Sequence, residues 1–144
     1  MNKLLIFFLL FLLISCSVSE DEAISLKIED KIPNTAIDKN MYYVTTSSQT
    51  DRVYSYEENN ITFDVMIDRK GFITFFKPLD NSFQTPCGIK VGDNLEKVKI
   101  ISKKEPKKMP GWGSFISLSH GWFALLEKKN SEYRVKFLFK SKYH

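Results

Sequence analysis

From residue 61 the chain alternates with a period of two. Ile61, Phe63, Val65 and Ile67 fall on one side of an extended backbone, and Thr62, Asp64, Met66 and Asp68 fall on the other. A helix would scatter those four apolar side chains around its circumference, so the pattern commits this stretch to a strand with one buried face. Asp68-Arg69-Lys70-Gly71 then turns the chain, with Gly71 free to adopt positive φ. Phe72-Ile73-Thr74-Phe75-Phe76 returns before Pro78 and Asp80-Asn81 break the run. A β-hairpin is therefore predicted over residues 61–76, and the rest of the chain has to be built around a sheet.

Other strand signals lie on both sides of it. Residues 41–46 and 52–56 have strand composition, with a turn at 57–60. Near the C-terminus, residues 114–119, 122–127 and 133–140 read as three more strands. His120-Gly121 and residues 128–132 supply their turns, and residues 107–113 read as a loop. In the last strand Tyr133, Val135, Phe137 and Phe139 are placed on one face, and Arg134, Lys136, Leu138 and Lys140 on the other. One helix is predicted, opening at Asp93 as its cap, with Glu96 three residues later completing a capping-box pair. Leu95, Val98 and Ile101 share a face at helical spacing. Lys97, Lys99, Lys103 and Lys104 lean toward the C-terminal end, where the macrodipole favours cations, and Pro106 stops the helix. Helix followed by a three-stranded meander predicts an α+β fold: an antiparallel sheet with one or two helices packed on one face.

The first residues pose a separate question. Lys3 precedes eleven consecutive apolar residues, Leu4 through Ile14, and Ser15-Cys16 closes the run before the polar Ser17-Val18-Ser19-Glu20-Asp21-Glu22. A membrane span needs roughly 20 apolar residues, so the run is too short to cross a bilayer and has the build of a secretory signal. Leu13-Ile14-Ser15-Cys16 also resembles the lipobox of bacterial lipoproteins. That resemblance implies cleavage before Cys16, a diacylglycerol on its sulfur and acylation of the new amino group. It further implies a chain held at the bacterial cell envelope by a membrane anchor, in the outer membrane or a periplasm-facing membrane. In enterobacterial lipoproteins a serine at the position of Ser17 goes with outer-membrane sorting. The predicted organisation is then a signal peptide over 1–15, a lipidated flexible tether over 16–40 and a globular domain over 41–144. That domain is either one unit or two similar halves, 41–82 and 83–144.

Only Cys16 and Cys87 are present. Lipidation would consume the first; without it, a Cys16–Cys87 bridge becomes available in an oxidising compartment. Charge is divided unevenly. Residues 16–96 carry eight Lys/Arg against fourteen Asp/Glu (net −6), and residues 97–144 carry twelve against three (net +9). Such asymmetry suits an anionic partner, whether a membrane surface, a polymer or an acidic protein, although lysines solvating the outer face of a sheet produce it too. Nucleic acid is poorly placed as a partner outside the cytoplasm.

Residues 85–98, with Gly88-Ile89 and Gly92-Asp93 opening the predicted helix ahead of the meander, resemble a phrase of small bacterial envelope proteins. The stretch from about residue 83 to 143 is similar to the repeat unit of β-lactamase-inhibitor-like domains and of small lipoproteins of the barrel-assembly machinery. In those families the phrase is structural, so the resemblance implies a fold and no functional residue.

Chemistry-bearing residues are sparse. The two histidines are His120, in a predicted turn, and His144 at the terminus, and no spacing suggests a metal site or a cofactor. Ser117-Leu118-Ser119-His120 lacks the glycines of a nucleophile elbow. Asp64 and Asp68, near Arg69 and Lys70, form a carboxylate pair better read as a solvated strand face. Gly111-Trp112-Gly113, beside Lys107 and Lys108, is the most suggestive surface feature, because tryptophan often anchors interfaces. Its alternative is an indole folded back on the core. The expectation is a non-enzymatic envelope lipoprotein binding another protein or an anionic polymer through its sheet or Trp112 loop. The alternative is a small-molecule-binding or hydrolytic domain with a pocket near Cys87 and His120.

Overall fold

The computed structural model describes residues 24–46 and 49–143. The elements run β1 (Ile37–Thr46), β2 (Gln49–Glu58), β3 (Ile61–Ile67), β4 (Ile73–Pro78), α1 (Leu95–Ser102), β5 (Lys107–Met109), β6 (Gly113–Ser117), β7 (Phe123–Lys129) and β8 (Glu132–Ser141). A short 3-10 turn, Ser119–Gly121, joins β6 to β7. All eight strands belong to one antiparallel sheet in the order β1-β2-β3-β4-β8-β7-β6-β5. It consists of two four-stranded meanders, fused where Phe75 and Phe76 of β4 pair with Ser141 and Lys140 of β8.

This corrects the α+β expectation: the fold is essentially all-β, with one eight-residue helix as its only α-helix among the described residues. The helix is short because Lys103 already takes the left-handed conformation (φ 55°) and closes it three residues ahead of Pro106. Its cap is Asn94 rather than Asp93. The Asn94 side chain accepts from Lys97 N, while Asp93 accepts from Lys90 N and pairs with Lys97 Nζ at 2.8 Å. Asparagine and aspartate cap equally well, so neighbouring candidates are separated by the bend into the helix, not by chemistry. Lys107–Met109, expected in a loop, adds a fifth strand in sequence by pairing with β6.

The turns follow from local sequence. Asn59-Asn60 and Asn130-Ser131 each place two consecutive residues at positive φ, the geometry that matches the twist of a two-residue hairpin. Gly71, at φ 80°, closes the β3–β4 turn.

Both faces of the sheet carry apolar layers. On one, Phe63, Val65, Ile73 and Phe76 of the first meander join Ile116, Ala124, Leu126, Val135 and Leu138 of the second. Trp122 lies at their junction, edge-on to Phe76 at 5.8 Å and tilted against Phe83 at 5.0 Å. Val98 of α1 covers part of this layer and Leu26 another part. From residue 24 onward, the stretch read as a tether is laid along the sheet. Glu29 N donates to Ile73 O at 2.8 Å, Ile73 N donates to Asp30 O at 2.8 Å, and Lys31 bridges to Phe72. The signal peptide, the lipobox and Cys16 lie outside the described residues.

On the opposite face, Val53, Met66, Phe75, Phe123, Leu125 and Phe139 form a second buried cluster. Phe75 and Phe123 stack on either side of Phe139, with centroids 5.4 and 5.3 Å away. The strand β3 is therefore buried on both faces from Phe63 to Ile67, where alternation alone predicted one. β8 departs from simple alternation as well. A register shift opposite Leu125 and Leu126 sends Val135 to the helix side while Phe137 and Phe139 stay on the other. One extra residue in a bulge is enough to flip every side chain beyond it.

Candidate functional site

Strand register sets Tyr42, Arg52 and Ile67 side by side on three neighbouring strands, β1, β2 and β3. Two residues along β2, Tyr54 points the same way because of the period-two pleat, as does Thr50 on the other side. Together with the β3–β4 turn, Asp68-Arg69-Lys70-Gly71, they line a cleft of about 510 Å³. Here cationic and aromatic side chains meet around a concavity.

Its polar groups differ in how fully they are used. Asp68 turns its carboxylate back on its own turn, accepting from Phe72 N at 3.0 Å and from Lys70 N at 2.9 Å. The bond from Phe72 N is the main reason its carboxyl titrates below the usual carboxylate range. Arg69 and Lys70 carry no such commitment and are exposed at the rim. Lys31 approaches the same turn, bonding Lys70 O and sitting 4.1 Å above the Phe72 ring. Arg52 pairs with Asp38 through one terminal nitrogen and lies 5.9 Å from the Tyr54 ring. Its Nε is screened from solvent and has no hydrogen-bond partner among the described residues. A buried donor left unused in this way is uncommon, because desolvating an N–H without a bond costs about 1–3 kcal/mol.

The residues singled out from sequence are distributed elsewhere. Asp64 and Asp68 do not form a working pair: four residues along a strand separate them by about 13 Å. Asp64 is buried and bonded to Lys39 Nζ at 2.8 Å, with Lys77 Nζ at 3.9 Å. A second buried carboxylate, Asp51, accepts from the Thr74 hydroxyl. Trp112 is half-buried, its ring 6.0 Å from Phe75 and 6.2 Å from Phe139, so the indole rests on the second apolar cluster. Lys107 and Lys108 stay exposed on β5.

Cys87 and His120 do meet, through Ser119. Its Oγ is 2.7 Å from Cys87 Sγ and 3.0 Å from His120 Nδ1. Among the described residues, no cluster of three or more His, Cys, Asp or Glu could hold a metal ion, and no helix is long and apolar enough to cross a membrane.

Sequence reasoning missed the cleft. Arg52 and Tyr54 share the parity of their strand and could have been paired from that alone. Their meeting with Tyr42 and residues 68–71 depends on a register that only the folded sheet supplies. No protein-family model, curated protein or solved structure matches this chain.

Proposed function

We propose that this chain is a lipid-anchored bacterial envelope lipoprotein whose domain is a non-enzymatic binding module for an anionic polymer, held in the Arg52 cleft. The observation that carries the ligand class is the cleft lining itself, where the cationic side chains of Arg52, Arg69 and Lys70 come together with Tyr42 and Tyr54. Phosphate or carboxylate groups would pair with these cations, and Tyr42 and Tyr54 offer flat surfaces for the polymer backbone. Anchoring rests on the lipobox-like Leu13-Ile14-Ser15-Cys16.

Two measurements test the two parts. Intact mass of the mature protein, extracted in detergent from cells expressing the full gene, is expected to show a chain beginning at Cys16 with fatty-acyl mass. The same chain without lipid would remove the anchor. For the cleft, titration with a polyphosphate oligomer should give salt-dependent binding that Arg52→Ala weakens at least tenfold, the loss of one charge-assisted contact. Equal affinity in the variant would place the ligand elsewhere.

The Ser119–His120 contact favours a second reading, a small-molecule-binding or hydrolytic domain with a pocket near Cys87 and His120. It requires that His120→Ala abolish an activity while leaving thermal stability unchanged.

A further inference from the structure

The sheet ends in two edges that are built differently. At one end β5 is three residues long, two of them lysines, and Pro106 and Pro110 flank it. Short length, lysine and proline are the usual devices that stop an edge from recruiting another strand. At the other end, β1 runs for ten residues and pairs only with β2 among the described residues. Ile37, Met41, Tyr42 and Tyr43 on it are 70%, 43%, 63% and 40% exposed, four of the seven large apolar side chains left outside among the described residues. Its charges do not guard it. Asp38 pairs with Arg52 and Lys39 reaches Asp64, so both are turned onto the protein's own sheet. Residues 41–50 contain no charged side chain at all.

We infer that β1 is a self-association edge, and that its occupant is β1 of a second copy of this chain, antiparallel about a two-fold axis normal to the sheet. An uncharged edge offers nothing by which to select a charged foreign strand, while self-pairing sets neutral residues against neutral residues without repulsion. The two-fold makes each contact count twice; centred on Tyr42, it sets Tyr42 against its own equivalent and Met41 against Tyr43 of the second copy, which leaves the two Tyr43 side chains as diagonal neighbours on one face. The shared register is short. Regular pairing between β1 and β2 runs unbroken only from Met41 to Val44, with irregularities on both sides. A single strand edge buries less than the roughly 1,200–2,000 Å² typical of stable complexes, so the dimer is weak in solution. Continuous pairing also leaves like faces together, bringing two Arg52 clefts onto one side of a sixteen-stranded sheet.

The test uses the full chain in detergent, followed by density-matched sedimentation equilibrium from about 5 to 200 µM, a range chosen for a sub-standard interface. A reversible monomer–dimer equilibrium is expected. Tyr43 is exposed and does not line the cleft. Tyr43→Lys should weaken the dimer at least tenfold with the melting temperature unchanged, as should Tyr43→Glu. Mixing the two variants should restore dimerisation as a heterodimer, which a general loss of solubility or folding would not do. A wild-type chain that stays monomeric throughout overturns the inference. So does a dimer indifferent to both substitutions, or a mixture that fails to recover.

Discussion

The two meanders bury one continuous apolar layer beneath different covers. Over β5–β8 the cover is α1, whose Val98 is fully buried and whose Asn94 cap and Arg134 bridge fix it to β8. Over β1–β4 it is irregular chain. Leu26 is nearly as buried as Val98, yet it sits in a segment fastened by backbone bonds to Ile73 and Gly71 and by Ser25 N to the Glu58 carboxylate. A helix satisfies its own backbone and needs only side chains to dock. An irregular segment must borrow donors and acceptors from the sheet. The first half achieves this at the start of β4, where the Gly71 carbonyl accepts from Ile32 N, the Ile73 carbonyl accepts from Glu29 N and Ile73 N donates to Asp30 O.

If the halves are one cooperative unit, damage at their junction should cost most. Trp122→Ala removes the largest fully buried side chain, between Phe76 and Phe83, and is expected to lower stability by about 3–5 kcal/mol. Urea denaturation followed by fluorescence and circular dichroism should still give one transition; two would mean that the meanders unfold separately. Next come the two covers. Leu26→Ala should cost about 2–4 kcal/mol and Val98→Ala about 1.5–2.5 kcal/mol, each by the area and cavity lost. A negligible effect at Leu26 in the same denaturation assay would show that the irregular cover only rests on the sheet.

Smaller effects separate the two kinds of cover further. Asn94→Ala should cost about 1 kcal/mol, read as a drop in melting temperature, because Lys97 N loses its acceptor. Among the described residues the first half has no helix cap to lose. Its counterpart is Asp68, whose folded-state pKa is depressed by Phe72 N and Lys70 N. A depressed carboxyl stabilises the fold above its unfolded pKa, near 3.8, and the benefit disappears as pH falls through the lower folded value. Asp68→Asn should thus melt slightly below wild type at pH 6, with the gap closing by pH 2. A gap that persists in acid would assign the effect to something other than the charge.

Parts of this architecture were written locally and parts were not. The hairpin from Ile61 to Phe76 and its Asp68–Gly71 turn satisfy strand period and turn chemistry at once; β7 and β8 are legible as strands, but not the bulge that moves Val135 off the face of Phe137 and Phe139. The fold class could not be read the same way. A capped helix before a meander looks like half of an α+β layer, and nothing in the sequence says that it stops after Ser102 or that β4 will pair with β8 sixty residues later. Leu26 was hidden for a similar reason. Ile24, Leu26 and Ile28 alternate too briefly to mark a strand, and an irregular segment bonded to a sheet has no periodicity of its own. The cleft escaped because Tyr42, Arg52 and residues 68–71 come from separate strands and a turn. Asp64 was misread as solvated since alternation assigns faces, not what covers them.

One consequence follows from the bonds that hold residues 24–32 to the sheet. If Cys16 carries the lipid, nine residue steps separate it from Ser25, whose N–H is bonded to Glu58 of the sheet, a leash of at most about 32 Å when drawn out fully. Slack as far as residue 41 would have allowed about 90 Å. The domain would then hover within its own diameter of the headgroups, patrolling a thin film of the envelope rather than its depth. A ligand would have to come to the membrane surface to be caught.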